Sequence, residues 1–446
     1  PRGQAVCGVQ REVLAGGVRH PLEDVDVVRA AAPDPAHREI GLLLNDRFFV
    51  APISDERGRP LPAAALERFI AAAVEAESSM EDSATPGFTA LSSLGSETAS
   101  AHLDRLMQDP ANAQVYDRLT QALFVVNLID EAAQDQEHLR RTAFLPGQAW
   151  AYTSITYQVG LADDFTGMHL EHSRIDAATL KAVLAVAQEE TSAEDRHPDV
   201  EDGAPIEHLQ WHLSDELASD LTREITAYRE QAEQLQLDTV RLPRPVPADL
   251  PFRISDDALC QWTMLYAQLA TYGTVRSTYE AVDMRHYQAG RTECLRSNTP
   301  EAVALVAALI TAEASAEQVH AAAHAHKEWI KACKTGHGID RHLTGLALMA
   351  EQTGRTLPVQ QDAGWDRLKT DFLSTTSIGD HDHIAGMAFA PTSGGGIGIN
   401  YTPLGDDYEF LVISHRRETT DIEAFLAHLA DGTQALSEVL AGMVEE

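Results

Sequence analysis

The segment from Met168 to Asp176 holds a histidine and a carboxylate at a spacing that could serve proton transfer. Its sequence is MHLEHSRID, in which Asp176 follows His172 by four residues. Imidazole is the side chain whose ordinary pKa lies close to neutral pH, so a positioned histidine can act as a general base. The segment suggests this chemistry for His172, but a lone histidine is more often a surface or core residue.

The flanking sequence predicts the elements that would position His172. Tyr152–Val159 has the β-branched and aromatic content of a strand, and a second strand begins at Gly167 and ends at Leu170. Helical character resumes at Asp176, which occupies the position of an N-cap. His172 is therefore predicted to lie in a strand-to-helix turn, where side chains face a cleft.

Length and composition exclude several classes of protein. A chain of 446 residues with 44% hydrophobic content predicts two to three globular units. There is no apolar run of membrane-spanning length and no signal-peptide leader. The chain begins at proline, so we expect either a processed product or a longer protein whose front part is missing. Four widely separated cysteines predict reduced thiols and a cytoplasmic location. The net charge of −34 argues against a nucleic-acid partner and against acidic membrane surfaces.

Strands alternate with helices along the chain, which predicts an α/β fold. The acidic, breaker-rich stretch Glu189–Pro205 is the predicted linker between two halves. Residues 1–38 show little periodicity and receive no prediction. The other main predictions are strands at Ile40–Val50, Phe124–Ile129 and His208–Leu213, a loop at Glu77–Ser100, and helices at Leu61–Ala76, Ala99–Met107, Asn112–Leu123, Ser214–Gln236, Ser255–Tyr272, Glu301–Lys334, Asp340–Thr353 and Asp421–Val444.

Five ordered blocks of sequence carry a resemblance to the carnitine/choline acyltransferase family. The block around His172 resembles the family's E-H-[STA]-x-x-[DE]-G signature, with Ala177 in place of the final glycine. The others begin at Thr278 (TYEAVDMRHYQAGRTECLRS), Gly338 (GIDRHLTGL), Leu373 (LSTT, where the family has L-S-T-S) and Phe389 (FAPTSGGGIGINY).

The resemblance implies a fold and a catalytic group. It implies two chloramphenicol-acetyltransferase-like α/β domains with the active site at their interface, residues 1–204 carrying the catalytic histidine and residues 205–446 carrying the carnitine and coenzyme A motifs. The segment that family members carry upstream is absent from this chain. His172 would be the general base, Asp176 the acid of the same signature, and Thr376 the hydroxyl donor to the oxyanion. No covalent acyl-enzyme is required.

The resemblance also implies how the substrates bind. It places Tyr279, Thr292, Arg341 and Ser374 at the carboxylate of carnitine and Phe389 at its trimethylammonium group. These residue types suit the two groups, because hydroxyls and a guanidinium complement a carboxylate and an aromatic face attracts a quaternary ammonium. Met387, which we expect on the same strand face as Phe389, would shorten the acyl pocket and favour a short-chain donor.

Coenzyme A is the implied acyl donor and counts as a substrate, so no cofactor is predicted. The resemblance assigns Arg253, Asp257 and Glu280 to this donor, but the lysines that family members carry before this region are missing, and Arg253 is the only base between residues 247 and 258. A carrier-protein thioester is therefore a possible donor. Two further alternatives are another alcohol, such as choline or a polyketide, and an inactive binding protein of this fold.

Two other motifs are predicted to have no catalytic role. His381 and His383 have an alternating spacing that could hold a metal, but no third ligand is evident, so no metal is predicted. The glycines at residues 394–396 resemble a phosphate loop. They lead into strand-like sequence, however, with no helix to direct a dipole at phosphate, which favours a hairpin or bulge.

Overall fold

The structure is a computed structural model that describes residues 5–31, 34, 36, 38–81, 87–190, 206–247 and 249–445. The chain divides into two compact units. The N-terminal unit consists of Gly8–Glu233, and the C-terminal unit consists of Gln234–Glu446 together with Pro1–Cys7. Each unit is built on one six-stranded mixed sheet with helices packed against it. The predicted α/β class with two sheet-based units is therefore confirmed.

The N-terminal unit alternates strands and helices. Two short turns of 3-10 helix, Val9–Ala15 and Phe88–Ser93, precede β1 and α2 respectively. Its strands are β1 (Val18–His20), β2 (Val27–Arg29), β3 (Glu39–Leu44), β4 (Arg47–Pro52), β5 (Val125–Ile129), β6 (Ile155–Gly160), β7 (Thr166–Leu170) and β8 (Glu207–Leu209), and its helices are α1 (Ala63–Ser78), α2 (Ser96–Leu106), α3 (Pro110–Gln121), α4 (Asp135–Phe144), α5 (Ala177–Glu190) and α6 (Asp215–Ala232).

The sheet of the N-terminal unit has the strand order β7-β6-β5-β3-β4-β8, while β1 and β2 form a separate two-stranded sheet. The central strands β3, β5 and β6 run parallel, and β7 pairs antiparallel with β6 at one edge. Leu42 and Leu43 of β3 point to opposite faces and belong to separate hydrophobic clusters. Because helices cover both faces, this strand is apolar from Ile40 to Leu44 rather than alternating.

The C-terminal unit has the same number of sheet strands in a different order. Its strands are β9 (Leu235–Pro243), β10 (Thr278–Asp283), β11 (Thr292–Leu295), β12 (Leu373–Thr376), β13 (Ile397–Pro403) and β14 (Asp407–His415), and its helices are α7 (Asp256–Tyr272), α8 (Pro300–Ile310), α9 (Ala316–Ala332), α10 (Asp340–Gln352), α11 (Ala363–Lys369) and α12 (Ile422–Glu445), with one π-helical turn at Cys333–His337 and one 3-10 turn at Pro358–Gln361. The sheet order is β11-β10-β12-β13-β14-β9.

Helix α7 packs on one face of this second sheet and is defined at both ends by its sequence. The Ser255 side chain accepts a hydrogen bond from the Ala258 N–H, and Gly273 ends the helix with φ of 66°. The buried residues of α7 include Trp262, Met264 and Leu265, which join the β13 residues Ile397 and Ile399 in one large cluster. This packing leaves the opposite face of the sheet for polar side chains.

Two predicted elements differ from the structure for identifiable reasons. Ile40–Val50, predicted as one strand, is the hairpin β3–β4, because Asn45 and Asp46 adopt positive φ of 50° and 63° and form a tight turn. Glu301–Lys334, predicted as one helix, is divided into α8 and α9. Ala312 takes φ of 54° and Ser315 forms a capping box with Gln318, which starts a new helix.

The division between the units also differs from the predicted position. The units meet in sequence at Glu233 and Gln234 rather than at residue 204. The strand predicted to open the second half is β8, which pairs antiparallel with β4 and so belongs to the first sheet. The predicted linker Glu189–Pro205 lies mostly outside the described residues. Strand β9 was not predicted, because the prolines that follow it suggested an irregular connection.

Two further observations bear on the setting of the protein. Among the described residues, none of the helices combines the length and the apolar character that crossing a membrane requires. No disulfide joins the four cysteines.

Candidate active site

His172 lies in the turn between β7 and α5, as the sequence predicted. The strand ends at Leu170, and Ile175 is fully buried, so the turn is fixed at both ends. The Nδ1 atom of His172 lies 2.7 Å from the carbonyl oxygen of Ile175. Because a carbonyl only accepts hydrogen bonds, Nδ1 carries the proton and Nε2 is the nitrogen that can take up another. The His172 side chain is 68% exposed, which makes it accessible to a substrate.

Asp176 stands beside the imidazole and is buried. Its Oδ1 atom is 3.7 Å from His172 Nδ1, which is too long for a hydrogen bond but close enough to stabilise a positive charge. Its Oδ2 atom accepts a hydrogen bond of 2.7 Å from the Gln10 side chain. As predicted, Asp176 lies at the start of α5, where its carbonyl accepts from the N–H groups of Thr179 and Leu180.

Two titratable residues, His169 and Glu171, lie just before His172 in the sequence. Glu171 is buried and accepts hydrogen bonds from both the backbone N–H and the hydroxyl of Ser173, with Arg19 Nε at 3.5 Å. His169 lies on β7, and burial lowers its pKa to about 4. His169 is therefore neutral near pH 7 but a poor proton acceptor.

In the C-terminal unit, the residues predicted for the acceptor share one face of the sheet. Tyr279 of β10 lies opposite Ser374 of β12 in the parallel pair, so their side chains point to the same side. Thr376 follows Ser374 by two residues on β12 and shares this side. We call the side occupied by Tyr279, Thr292, Ser374 and Thr376 the acceptor face.

Arg341 at the start of α10 makes hydrogen bonds to two of these residues. Its Nη2 atom donates to Tyr279 Oη at 2.9 Å and to Thr292 Oγ1 at 3.4 Å, and its Nε donates to the Thr292 carbonyl at 3.2 Å. The Arg341 side chain remains 43% exposed. The structure thus gathers a guanidinium and two hydroxyls into one cluster that complements a carboxylate.

Phe389 also lies on the acceptor face. Gly398 of β13 pairs with Ser374, and an added Cβ at Gly398 would lie 3.2 Å from the Phe389 ring and 2.8 Å from its carbonyl oxygen. Glycine is therefore needed at this position because Phe389 occupies the space of a side chain. Residues 381–396, however, form no strand, so the prediction that places Met387 and Phe389 on one strand face is wrong. Both side chains are half-buried in irregular structure.

Two of the residues assigned to the acyl donor lie on the opposite face of the sheet. Glu280 follows Tyr279 on β10 and therefore points toward α7, where Asp257 lies. The Tyr401 hydroxyl is 2.6 Å from Asp257 Oδ1 and 3.1 Å from Glu280 Oε1. Arg253, the third donor residue, is exposed just before α7 and takes no described part in this cluster. The structure brings Asp257 and Glu280 together but leaves Arg253 apart.

The pKa values of Glu280 and Asp257 are shifted in opposite directions. Desolvation, followed by the charge of Asp257, raises the pKa of Glu280 well above its ordinary value. Burial alone would raise the pKa of Asp257 too, but hydrogen bonds, led by that of His326 at 2.7 Å, lower it. Glu280 therefore holds its proton to a higher pH than Asp257 does.

Several residues that support the site were not predicted. Gln10 lies in the segment that received no prediction. Arg296 pairs through its guanidinium with Asp340 and Asp371, and Asp340 Oδ1 in turn accepts from Arg341 Nη1 at 3.1 Å. Arg296 and Asp340 both stand inside the recognised blocks, so their presence there was the available signal. Among the described residues, no group of three or more His, Cys, Asp or Glu side chains could hold a metal ion.

The residues that the sequence predicted for the site are divided between the two units. The N-terminal unit holds an accessible imidazole with a protonated Nδ1, and the C-terminal unit holds hydroxyl groups and a guanidinium on one sheet face. The chain belongs to the choline/carnitine O-acyltransferase family, whose model matches residues 2–431.

Individual relatives are more distant than the family match. The chain is 22% identical to the carnitine O-acetyltransferase of Rattus norvegicus over 449 aligned residues, covering 96% of this chain and 70% of that protein. It is 30% identical over 176 residues to the putative mitochondrial carnitine O-acetyltransferase of Saccharomyces cerevisiae, covering 38% of this chain and 26% of that protein. It is 28% identical over 236 residues to the muscle isoform of human carnitine O-palmitoyltransferase 1, covering 50% and 30%. The alignments thus span from about a quarter to 70% of these relatives.

Proposed function

We propose that the protein transfers a short acyl group between a coenzyme A thioester and the hydroxyl of carnitine. The observation that carries the proposal is the cluster of Arg341, Tyr279 and Thr292, with Ser374 and Phe389 on the same acceptor face. A carboxylate and a trimethylammonium group are the two features that distinguish carnitine from a simple alcohol. The cluster offers charge-assisted hydrogen bonds to the carboxylate, and Phe389 offers an aromatic ring to the ammonium.

The proposed chemistry proceeds without an acylated residue. His172 Nε2 takes the proton of the carnitine hydroxyl while its oxygen attacks the thioester carbonyl. The tetrahedral intermediate carries an oxyanion that the Thr376 hydroxyl stabilises by donating a hydrogen bond, an interaction worth about 3–4 kcal/mol in comparable sites. Collapse of the intermediate breaks the carbon–sulfur bond, and the thiolate receives the proton from the imidazolium. Asp176 stabilises the imidazolium through its charge.

The donor side of the proposal rests on Asp257 and Glu280. Glu280 is buried and forms a side-chain hydrogen bond with Asp257, and the resemblance assigns both residues to the coenzyme A side of the site. Coenzyme A is a substrate in this scheme, and the reaction needs no further cofactor. The single cation Arg253 predicts weak recognition of the nucleotide phosphates.

The acyl group is proposed to be short because the family resemblance assigns Met387, which is bulkier than glycine, to the acyl pocket. Comparing kcat/KM for acetyl-, octanoyl- and palmitoyl-coenzyme A tests this part. A preference of the wild-type protein for palmitoyl donors contradicts it. The Met387→Gly variant sharpens the test, because opening the pocket should improve longer donors relative to acetyl.

Thiol release from acetyl-coenzyme A, measured with and without L-carnitine, tests the function as a whole. Carnitine-dependent release confirms it. Release that depends on choline or another alcohol but not on carnitine moves the assignment to that acceptor, and transfer only from an acylated carrier protein moves the donor. Binding of carnitine without turnover under all these conditions identifies an inactive binding protein. A reducing compartment such as the cytoplasm remains part of the proposal.

A further inference from the structure

Gln10 joins the first described segment of the chain to the start of α5. Its side chain is 4% exposed. The amide Nε2 donates to Asp176 Oδ2 at 2.7 Å, and Oε1 accepts from the Asp176 backbone N–H at 2.9 Å and from the Thr179 hydroxyl at 2.7 Å. A buried amide is costly without such partners, so these contacts determine one orientation of Gln10 and of the groups it holds.

The peptide group between Ile175 and Asp176 connects Gln10 to the imidazole. Its N–H donates to Gln10, and its C=O accepts the proton of His172 Nδ1 at 2.7 Å. A peptide group is planar, so fixing the N–H also fixes the direction of the C=O. Hydrogen bonds at both ends of one peptide also polarise each other. Gln10 therefore acts on the ring orientation and tautomer of His172 although it does not touch the ring.

A second route runs through the carboxylate of Asp176. Gln10 Nε2 occupies Oδ2, which leaves Oδ1 as the oxygen that faces the imidazole at 3.7 Å. Without this donor the carboxylate is able to rotate, and its charge is no longer held at a fixed distance from the ring. Both routes converge on the same imidazole.

We propose that Gln10 is a positioning residue for the catalytic histidine, one that sets the tautomer of His172 and the placement of Asp176. The inference rests on the proposed role of His172 as general base. A purely structural role would be to hold the segment around Gln10 on α5. The two roles differ in what is lost, because the structural one affects stability alone and the positioning one affects the turnover rate and the imidazole itself.

Gln10→Met in the full chain tests the proposal, since methionine has a similar volume but makes none of the three hydrogen bonds. A misplaced catalytic group typically costs about tenfold to a hundredfold in rate, so we expect kcat to fall by that factor. The KM for carnitine should change by less than about threefold, because Gln10 lies in the N-terminal unit and the acceptor face in the other. Nitrogen-15 NMR of His172 should show loss of the Nδ1-protonated tautomer.

Thr179→Val is the matched control. It removes one of the three hydrogen bonds of Gln10, at a residue that is 4% exposed, but leaves the bonds to Asp176 intact. We expect lower thermal stability with kcat within about threefold of wild type. If Gln10→Met and Thr179→Val lower stability and kcat alike, and the NMR spectrum of His172 is unchanged, the positioning role is wrong.

Gln10→Glu provides a second variant in case the methionine variant does not fold. A glutamate keeps an acceptor for the Asp176 N–H but, when charged, cannot donate to Asp176 Oδ2. We expect a loss of at least about tenfold in kcat near pH 8 that diminishes toward pH 6, where a protonated carboxyl can donate as the amide does. A wild-type rate at both pH values overturns the proposal.

His172→Ala, measured in parallel, separates failure of this inference from failure of the proposed function. If His172→Ala retains activity, the assignment of the base is wrong. If His172→Ala is inactive while Gln10→Met has wild-type kcat and tautomer, only the positioning role is wrong. If both roles hold, the Gln10→Met/His172→Ala double variant should be no slower than His172→Ala alone.

Discussion

His172 and Arg341 are held in place by different kinds of contact. The imidazole bonds to a carbonyl three residues away and is 68% exposed. The guanidinium of Arg341 bonds to Thr292 and Tyr279, which lie 49 and 62 positions away, and to Asp340, which Arg296 holds in turn. The imidazole of His172 is therefore oriented by local backbone, whereas the cluster around Arg341 is assembled from β10, β11 and α10.

This difference predicts how each region responds to substitution. Removing the exposed His172 side chain takes away one described hydrogen bond, to a backbone carbonyl, so the fold should lose little stability. Removing a member of the Arg341 cluster leaves charged or polar neighbours without a partner, so binding and stability change together. Variants at His172 should therefore lower the turnover rate at nearly unchanged thermal stability, whereas variants of the Arg341 cluster should lower thermal stability as well.

The largest effect is expected from His172→Ala. Losing a general base should lower kcat by about a hundredfold to ten-thousandfold, while the melting temperature stays within about 2 °C of wild type. Steady-state kinetics and thermal unfolding measure the two quantities. His381→Ala, at an exposed histidine of the C-terminal unit, is the control and should keep wild-type kinetics. Retention of more than about a tenth of the wild-type rate by His172→Ala would show that another group is the base.

Thr376→Val tests the oxyanion donor on the second sheet. Valine preserves the shape but removes the hydroxyl, and loss of one such donor should lower kcat by about a hundredfold to a thousandfold. Thr376→Ser retains the donor and matches the serine of the family block, so it should keep most of the activity. Equal activity of the valine and serine variants would remove Thr376 from the mechanism.

Arg341→Asn tests whether the acceptor cluster binds a carboxylate. Losing a charge-assisted hydrogen bond worth about 1.5–3 kcal/mol should raise the KM for L-carnitine by about tenfold to a hundredfold. Choline lacks a carboxylate, so its use should be unchanged or improved. Arg355→Asn, at an exposed arginine after α10, controls for the loss of charge.

The contacts of Arg341 with Asp340 and Tyr279 also allow a structural explanation, which the same kinetics can distinguish. If Arg341 only stabilises the cluster, the substitution should weaken carnitine and choline equally and lower the melting temperature. A loss confined to kcat would likewise contradict carboxylate binding. Arg341 would then contribute to the stability of the C-terminal unit and not to binding of the acceptor.

Local patterns made the His172 region predictable from the sequence. The strand, the turn and the N-cap at Asp176 follow from spacing over some twenty residues, and the structure confirms all three. Gln10 was not predictable, because a single glutamine in an aperiodic segment carries no signal for a partner 166 positions away. The Asn45-Asp46 turn was missed because a continuous apolar run masked two residues that accept positive φ.

The acceptor cluster was predictable only through the resemblance. Nothing in the spacing of Tyr279, Thr292 and Arg341 shows that they meet, since pairing of β10 with β11 and the position of α10 determine that. The strand predicted at Met387 was wrong for a different reason. The alternation of side chains with a period of two holds only within a regular strand. The segment that places Phe389 against Gly398 is irregular, so the period did not apply there.

The smallest effect concerns the far face of the second sheet, where Glu280 and Asp257 share a buried site. A carboxyl group whose pKa is raised in the folded state, as for Glu280, contributes stability that is present below its unfolded pKa and is lost as pH rises through the folded pKa. Glu280→Gln resembles the neutral acid at every pH. Its melting temperature should therefore equal that of wild type near pH 4.5 and exceed it increasingly toward pH 8. Thermal unfolding across that range measures this difference.

Asp257→Asn is the control for this prediction. Asp257 accepts hydrogen bonds from Tyr401 and His326, so its loss should destabilise the unit at every pH. A constant difference between Glu280→Gln and wild type at all pH values would mean that the buried acid does not titrate in this range.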